Sequence, residues 1–264
     1  MPLEIVEPLP LDAFFKPSNW PTATGALMTT RVGGVSVAPY DSLNLKAQTA
    51  DPLDQIAVAE NRRRFATTLG ATPVFLDQVH GARVVRLTAA HTGPDALTER
   101  ADASITTVPG IACTVMVADC LPVLFATRDG RAVGAAHAGW RGLAGGVLEA
   151  TVDAIRAAVP VAAGDIVAWL GAAIGPQKFE VGADVLAAFH DAERRHFVPA
   201  PARDGAPKWM ADLAGLAEGR LRRLGLTDVN GCGLCTVSDA SRFFSYRRDR
   251  VTGRLAAAAW IDVA

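Results

Sequence analysis

The spacing of apolar residues predicts an α+β protein in which helices pack outside mixed β-sheets. Three observations carry that prediction. Strand-like runs adjoin one another through a tight turn, which antiparallel pairing allows and a parallel sheet does not. Helical stretches separate the strands only in places, whereas a doubly wound sheet alternates strand and helix throughout. The chain of 264 residues is half hydrophobic and a fifth charged, enough to bury a full core.

Taken in chain order, apolar residues recur at helical spacing over 55–69, and apolar and β-branched runs then read as strands at 74–78, 83–87, 111–117, 122–127 and 132–137. Arg128, Asp129 and Gly130 supply the hairpin turn between two of these. A helix is expected over 143–158, after a glycine-rich entry, then a strand at 166–172 and a helix at 182–195. Pro199 and Pro201, with Asp204 and Gly205, mark an exposed loop. A helix at 211–224 stops at Gly225, and a last strand is expected at 235–238. With no repeat or low-complexity linker, one domain spanning 1–264 is the economical organisation.

Several function classes conflict with the composition. A formal net charge of −1 gives no positive field to gather phosphate backbones or anionic lipid, so neither nucleic acid nor a membrane is an expected partner. The opening MPLEIVEPLPLDAFF lacks the basic and then apolar regions of a secretory signal, and the most apolar run, at 111–127, is broken by Asp119 and Pro122. A monomer in the cytoplasm is expected. Cys113, Cys120, Cys232 and Cys235 are too few for a disulfide framework.

Chemistry concentrates at strand margins. Of five histidines, His190 and His196 lie in the polar stretch FHDAERRHF and His91 lies in a loop, where solvated imidazoles are ordinary. His80 differs: in LDQVHGAR it occupies a turn between strands. His137 ends a strand in GAAHAGWRGLAGG, and Cys120 breaks two apolar runs in VMVADCLPVLF. Strand ends are where a rigid scaffold presents function. Two imidazoles and a thiol so placed fit either a metal site with an open position or a Cys/His catalytic pair, and the residues alone leave both standing. Zinc accepts thiolate and neutral imidazole, and lowers the pKa of a bound water toward ~7. The glycines after His137 let backbone approach a ligand, the helix start favours anions, and Arg141 adds a planar fork for phosphate or carboxylate.

Six blocks, TTRVGGVSVAPYDSLNL, DQVHG, VADCLPVLF, AAHAGWRG, GAAIGPQKFEVG and CTVSDASRFFSYRRDRVTGR, follow one another over residues 29–254. Together they resemble the signatures of the laccase-domain family, also called the YfiH or multicopper polyphenol oxidase family. The resemblance implies an α-β-β-α layered fold, similar to cytotoxic-necrotizing-factor hydrolases, and a zinc site on His80, Cys120 and His137. It implies phosphorolysis of purine nucleosides (adenosine, inosine, guanosine, methylthioadenosine), adenosine deamination, phenol oxidation under the older name, and peptidoglycan editing. Where the family commonly carries a cysteine after IGP, this chain has Gln177.

A coupled multicopper centre needs on the order of ten histidines, and this chain has five. Copper is therefore the weaker cofactor expectation, restricted to one His-His-Cys site with Met116 as axial ligand. The leading expectation is a zinc-dependent purine nucleoside phosphorylase with nucleoside and phosphate as partners. The rival is a Cys/His hydrolase with Cys120 as nucleophile and His137 as base. For substrate contacts, Arg31, Gly33, Gly34 and Ser36 form a turn rich in N–H groups, Asn44 suits a base edge or ribose hydroxyl, and Arg141, Arg247 and Arg248 suit phosphate.

Overall fold

The computed structural model describes residues 6–46, 52–93 and 95–263. Its elements begin with strands β1 (Phe14–Phe15) and β2 (Thr24–Thr29), helix α1 (Pro52–Leu69), then β3 (Thr72–Phe75), β4 (Val84–Leu87) and β5 (Ala103–Thr106). There follow β6 (Ile111–Val117), β7 (Leu121–Thr127), β8 (Val133–Ala138), the short helix α2 (Trp140–Ala144), α3 (Val147–Ala158) and β9 (Ile166–Leu170). The chain continues through β10 (Glu180–Val181), α4 (Ala183–Ala187), β11 (Phe197–Arg203), β12 (Ala206–Ala211), α5 (Leu213–Arg223), β13 (Asp228–Gly231), α6 (Tyr246–Asp249) and β14 (Leu255–Ile261).

Two mixed sheets stack face to face, one ordered β1-β2-β14-β6-β3 and the other β13-β9-β7-β8-β5-β4. Alternation along the strands divides three apolar layers. Val115 and Val117 of β6 and Leu255 of β14 meet Leu124, Val133 and Trp169 between the sheets. Val123, Phe125 and Ala168 point the other way, onto Val152 and Ile155 of α3 and Leu216 and Leu221 of α5. Leu27, Ala256 and Ala258 face Phe65 and Leu69 of α1. The result is the α-β-β-α layering that the resemblance implies. No helix of the described residues is long and apolar enough to cross a membrane.

Three local expectations are corrected. Residues 182–195 are not one helix: α4 ends after five residues, and Asp191–His196 form a separate 3-10 turn. Its Glu193 is drawn inward by Arg220 at 2.8 Å. The segment at 199–205 is not a loop but the β11–β12 hairpin, whose two-residue turn uses Asp204 and Gly205 at positive φ (50° and 73°). Its prolines are tolerated because β11 is an edge strand. The 235–238 run makes only one isolated bridge, Ala173 to Cys235, and turns over residues 236–238.

Candidate metal centre

Three chain reversals bring the site together. His80 sits in the turn after β3 with φ 63°, a left-handed conformation uncommon for residues other than glycine. The buried Asp102 carboxylate stabilises it by accepting three successive backbone N–H groups, from Val79 (3.1 Å), His80 (2.8 Å) and Gly81 (2.7 Å). The same carboxylate lies 2.8 Å from His137 Nδ1, and the Asp102 carbonyl accepts the His137 N–H at 2.7 Å. One residue thus orients the His137 imidazole and fixes the backbone that carries His80, and by holding Nδ1 it leaves His137 Nε2 available as a ligand.

Cys120 enters from the β6–β7 turn, where Asp119 also has positive φ (100°). Asp119 is anchored by the Thr236 hydroxyl and the Arg247 N–H, both donating at 2.6 Å. The Cys120 Sγ lies 3.8 Å from His80 Nε2, and the two imidazole rings meet edge to face with centroids 4.8 Å apart. One ligand atom from each of His80, Cys120 and His137 falls within 4.8 Å of the others. Donors about 2.0–2.3 Å from a tetrahedral ion stand about 3.5 Å from one another, so a small inward movement suffices. Glycine makes the closure possible. A Cβ on Gly139 would lie 2.9 Å from Cys120 Sγ and 3.1 Å from His80 Cδ2, and one on Gly142 would lie 2.8 Å from the Gly81 carbonyl.

The electrostatics suit a cation. Burial pushes the Cys120 thiol up, but the His137 and His80 imidazoles outweigh it and hold the thiol below its ordinary range. Burial likewise lowers His137, and the Cys120 thiolate and Asp102 together raise it above the usual imidazole range. Asp102 is also lowered: the bonds from His137, Gly81 and His80 overcome its burial. Cys113, by contrast, is fully enclosed, and burial pushes it up to about 12.

The three side chains open onto a cavity of about 780 Å³ that is also lined by Phe75, Gln78, Met116 and Tyr246. None of the eight residues expected to touch substrate lines it. Arg31 borders a separate shallow depression with Asp41 and Ser241, its guanidinium bonded to the Asp41 and Ala240 carbonyls. Gly34 and Ser36 pack into a knot around buried Asn61, which donates to Ser36 and accepts from the Val35 N–H, and Gly33 lies against Pro10 and Ala13. Asn44 is fully buried and bonded to Asp54. Arg141 is exposed and stacks 4.2 Å over Trp140, and α2, which carries it, is a single turn, too short to build the anion corner expected there. Arg247 donates to the Glu180 carbonyl, and Arg248 to the carbonyls of Thr236, Val237 and Phe243. Gln177 is exposed and lies outside the cavity lining.

Asp102 is the residue that sequence reasoning missed. Its signal was an acid in ERADASIT, flanked by alanines at the mouth of a strand. Lys46, Arg62 and Arg254 also line the cavity, and of these Arg62 is disguised within the charge run NRRRF.

A layered α-β-β-α protein with a His/Cys/His cluster at the margin of its stacked sheets is the class defined by this geometry. The chain belongs to the family described as multi-copper polyphenol oxidoreductase laccase, whose sequence model matches residues 25–262. It is 50% identical to a purine nucleoside phosphorylase of Pseudomonas aeruginosa over 96% of this chain and 100% of that protein. It is 47% identical to the purine nucleoside phosphorylase YfiH of Escherichia coli over 92% of this chain and 97% of that one. Among solved structures, the Neisseria meningitidis protein NMB0706 superposes with a TM-score of 0.84 at 43% identity, covering 95% of this chain and all of the other. The YfiH protein of Bacillus licheniformis superposes with a TM-score of 0.86 at 28% identity, covering 95% and 97%.

Proposed function

We propose that this chain is a zinc-dependent purine nucleoside phosphorylase acting on adenosine, inosine, guanosine and methylthioadenosine, with adenosine deamination as a side activity. The observation that carries the reading is the convergence of His80, Cys120 and His137 on one edge of a cavity of about 780 Å³, a volume in the range of small-molecule sites. The names of the relatives supply the substrate class.

Zinc would be held by the Cys120 thiolate and by one nitrogen each of His80 and His137, a mixed sulfur and nitrogen set that suits it better than copper or magnesium. When bound, it supplies a Lewis acid within the cavity. Asp102 keeps the His137 ring and the His80 backbone in place, and the cavity walls hold nucleoside and phosphate together so that their encounter becomes intramolecular. In phosphorolysis a phosphate oxygen bonds to C1′ as the C1′–N9 bond breaks. The electron pair leaves with the purine, which takes up a proton, and the products are free base and ribose 1-phosphate, or its 5-methylthio derivative from methylthioadenosine.

A second reading has an observation of its own. Cys120, His137 and Asp102 form a relay in which a thiol held below its ordinary range lies beside an imidazole oriented by a carboxylate, the arrangement of a cysteine hydrolase. Incubation with inosine and phosphate separates the two. The phosphorylase releases hypoxanthine only with phosphate, loses turnover to a chelator, and regains it with zinc. In Cys120→Ala, both turnover and stoichiometric zinc are expected to vanish, and full turnover in that metal-free variant overturns the reading. A thiol enzyme ignores the chelator and is blocked by alkylation.

A further inference from the structure

Lys46, Arg62 and Arg254 come from three distant parts of the chain and line the cavity that His80, Cys120 and His137 open into. Leu45 gathers them. Its N–H donates to the Arg254 carbonyl at 3.2 Å, its own carbonyl accepts from Arg62 Nε at 2.9 Å, and Lys46 follows it directly. Beneath lies Asn44, whose Oδ1 accepts the backbone N–H groups of Lys46 (3.1 Å) and Arg254 (2.9 Å). Pairing of Leu255 with Val117 sets Arg254 beside Ala118, two residues before Cys120. The Arg62 guanidinium is stacked 3.8 Å above the Phe75 ring.

What sets these cations apart is a place on the cavity wall without a close counter-charge. Among the described residues, no carboxylate lies within ion-pair distance of any of the three. Cys120 and then Asp119 attract Arg254 at longer range, and both Asp119 oxygens already accept other bonds. The cavity's carboxylate, Asp77, is exposed. Burial brings Arg62 down to about 10, and it also lowers Arg254 and Lys46, the latter further because Arg254 is near. Clustered, partly desolvated positive charge is unfavourable until an anion joins it. Two guanidinium forks and an ammonium match the oxygens and charge of phosphate.

We propose that Lys46, Arg62 and Arg254 form the inorganic-phosphate subsite of the cavity, a role that Arg141, Arg247 and Arg248 do not fill. The assignment rests on the phosphorolysis reading for its biological use. The role of Asn44 changes with it: Asn44 sets the backbone from which two of the three cations project.

The test uses the zinc-loaded full chain and inorganic phosphate. Arg62→Met and Arg254→Met keep the apolar stems and remove the charges, Lys46→Met does the same at the more tolerant position, and Arg141→Met serves as control. Phosphate KM with inosine, and phosphate Kd by calorimetry without nucleoside, are expected to rise roughly 10-fold or more in each arginine variant. They should rise less in Lys46→Met, recover partly in Arg254→Lys, and stay unchanged in Arg141→Met. Inosine affinity should stay within about 2-fold of the parent, since a lost charge–phosphate contact acts on phosphate alone. If inosine is phosphorolysed and phosphate KM is unmoved in folded Arg254→Met and Lys46→Met, the subsite is wrong and the phosphorylase reading stands. If no phosphate-dependent product forms but phosphate binds and Arg254→Met abolishes that binding, the subsite stands and the phosphorylase reading falls.

Discussion

Arg220 and Arg254 are both withdrawn from solvent, and the protein treats them in opposite ways. Arg220, 6% exposed, is gripped by Glu193 through two bonds of 2.8 and 3.1 Å, by Glu149 at 3.3 Å, and by the Leu143 carbonyl. It ties α5 to the Asp191–His196 turn and to the end of α2. Arg254 has carbonyl partners, Thr252 and Gly253, and no carboxylate among the described residues. A buried charge neutralised from within is part of the scaffold. One left short of counter-charge beside a cavity is kept ready for something that arrives. Sequence alone does not separate the two, because each lies between a glycine and a leucine.

The comparison breaks hardest at Arg220. Arg220→Met leaves Glu193, 2% exposed, with Arg223 as its remaining guanidinium partner. Stranding one member of a buried pair costs about 3–5 kcal/mol, and urea unfolding should read a loss of that order. The same cluster has a pH signature. Burial pushes Glu193 up, but Arg220 and Arg223 outweigh it and bring its carboxyl from 4.5 down to about 2. A carboxylate whose pKa is depressed by folding stabilises fully above its unfolded value and progressively less below it. The contribution is therefore complete above pH 4.5 and lost as the pH falls toward 2. The urea midpoint of the parent should drop over that window, and that of Glu193→Gln should be flatter. Equal slopes would remove Glu193 from the scaffold account.

Asp102 is the carboxylate counterpart of Glu193 on the side of the site. Its charge is divided among one imidazole and three N–H groups rather than given to an arginine. Asp102→Asn keeps the shape but presents one oxygen where two accepted, and it turns an N–H group toward one of the former donors. Partners of this kind typically shift metal affinity 10–100-fold, so zinc affinity against a chromophoric chelator should weaken by roughly that factor. Unchanged affinity with reduced stability would make Asp102 a structural residue only.

The layered fold was legible where periodicity is strong. The run at 111–117 coincides with β6 and α1 lies where apolar spacing puts it, whereas the helix expected over 143–158 is interrupted between α2 and α3 by Gly146 at φ 88°. β14 was missed because LAAAAWI reads as a helix: alanine has high helix propensity, and burial of all seven residues at the centre of a sheet overrides it. The 182–195 helix failed for a related reason, since the pull of Arg220 on Glu193 is a long-range contact. His80, Cys120 and His137 stood out because each is a reactive group where an apolar run ends. The cavity cations did not, because Arg62 and Arg254 acquire meaning only when β14 lies against β6 and Leu45 lies against both arginines.

The mildest expected effect lies at Arg254 itself. If its charge were structural, Arg254→Met would cost stability on the scale of Arg220→Met. If instead it is held against its own desolvation and against Lys46, removing the charge relieves both and forfeits two bonds to carbonyls and the longer-range attraction of Cys120 and Asp119. Bonds of that kind contribute on the order of 1 kcal/mol each, so these changes nearly cancel. Urea unfolding without phosphate should place the variant within about 1 kcal/mol of the parent. Adding phosphate should then widen the gap, because an anion that binds only the folded parent stabilises the parent alone. A large loss without phosphate, and no widening with it, would put Arg254 in the same class as Arg220 and erase the distinction between the two regions.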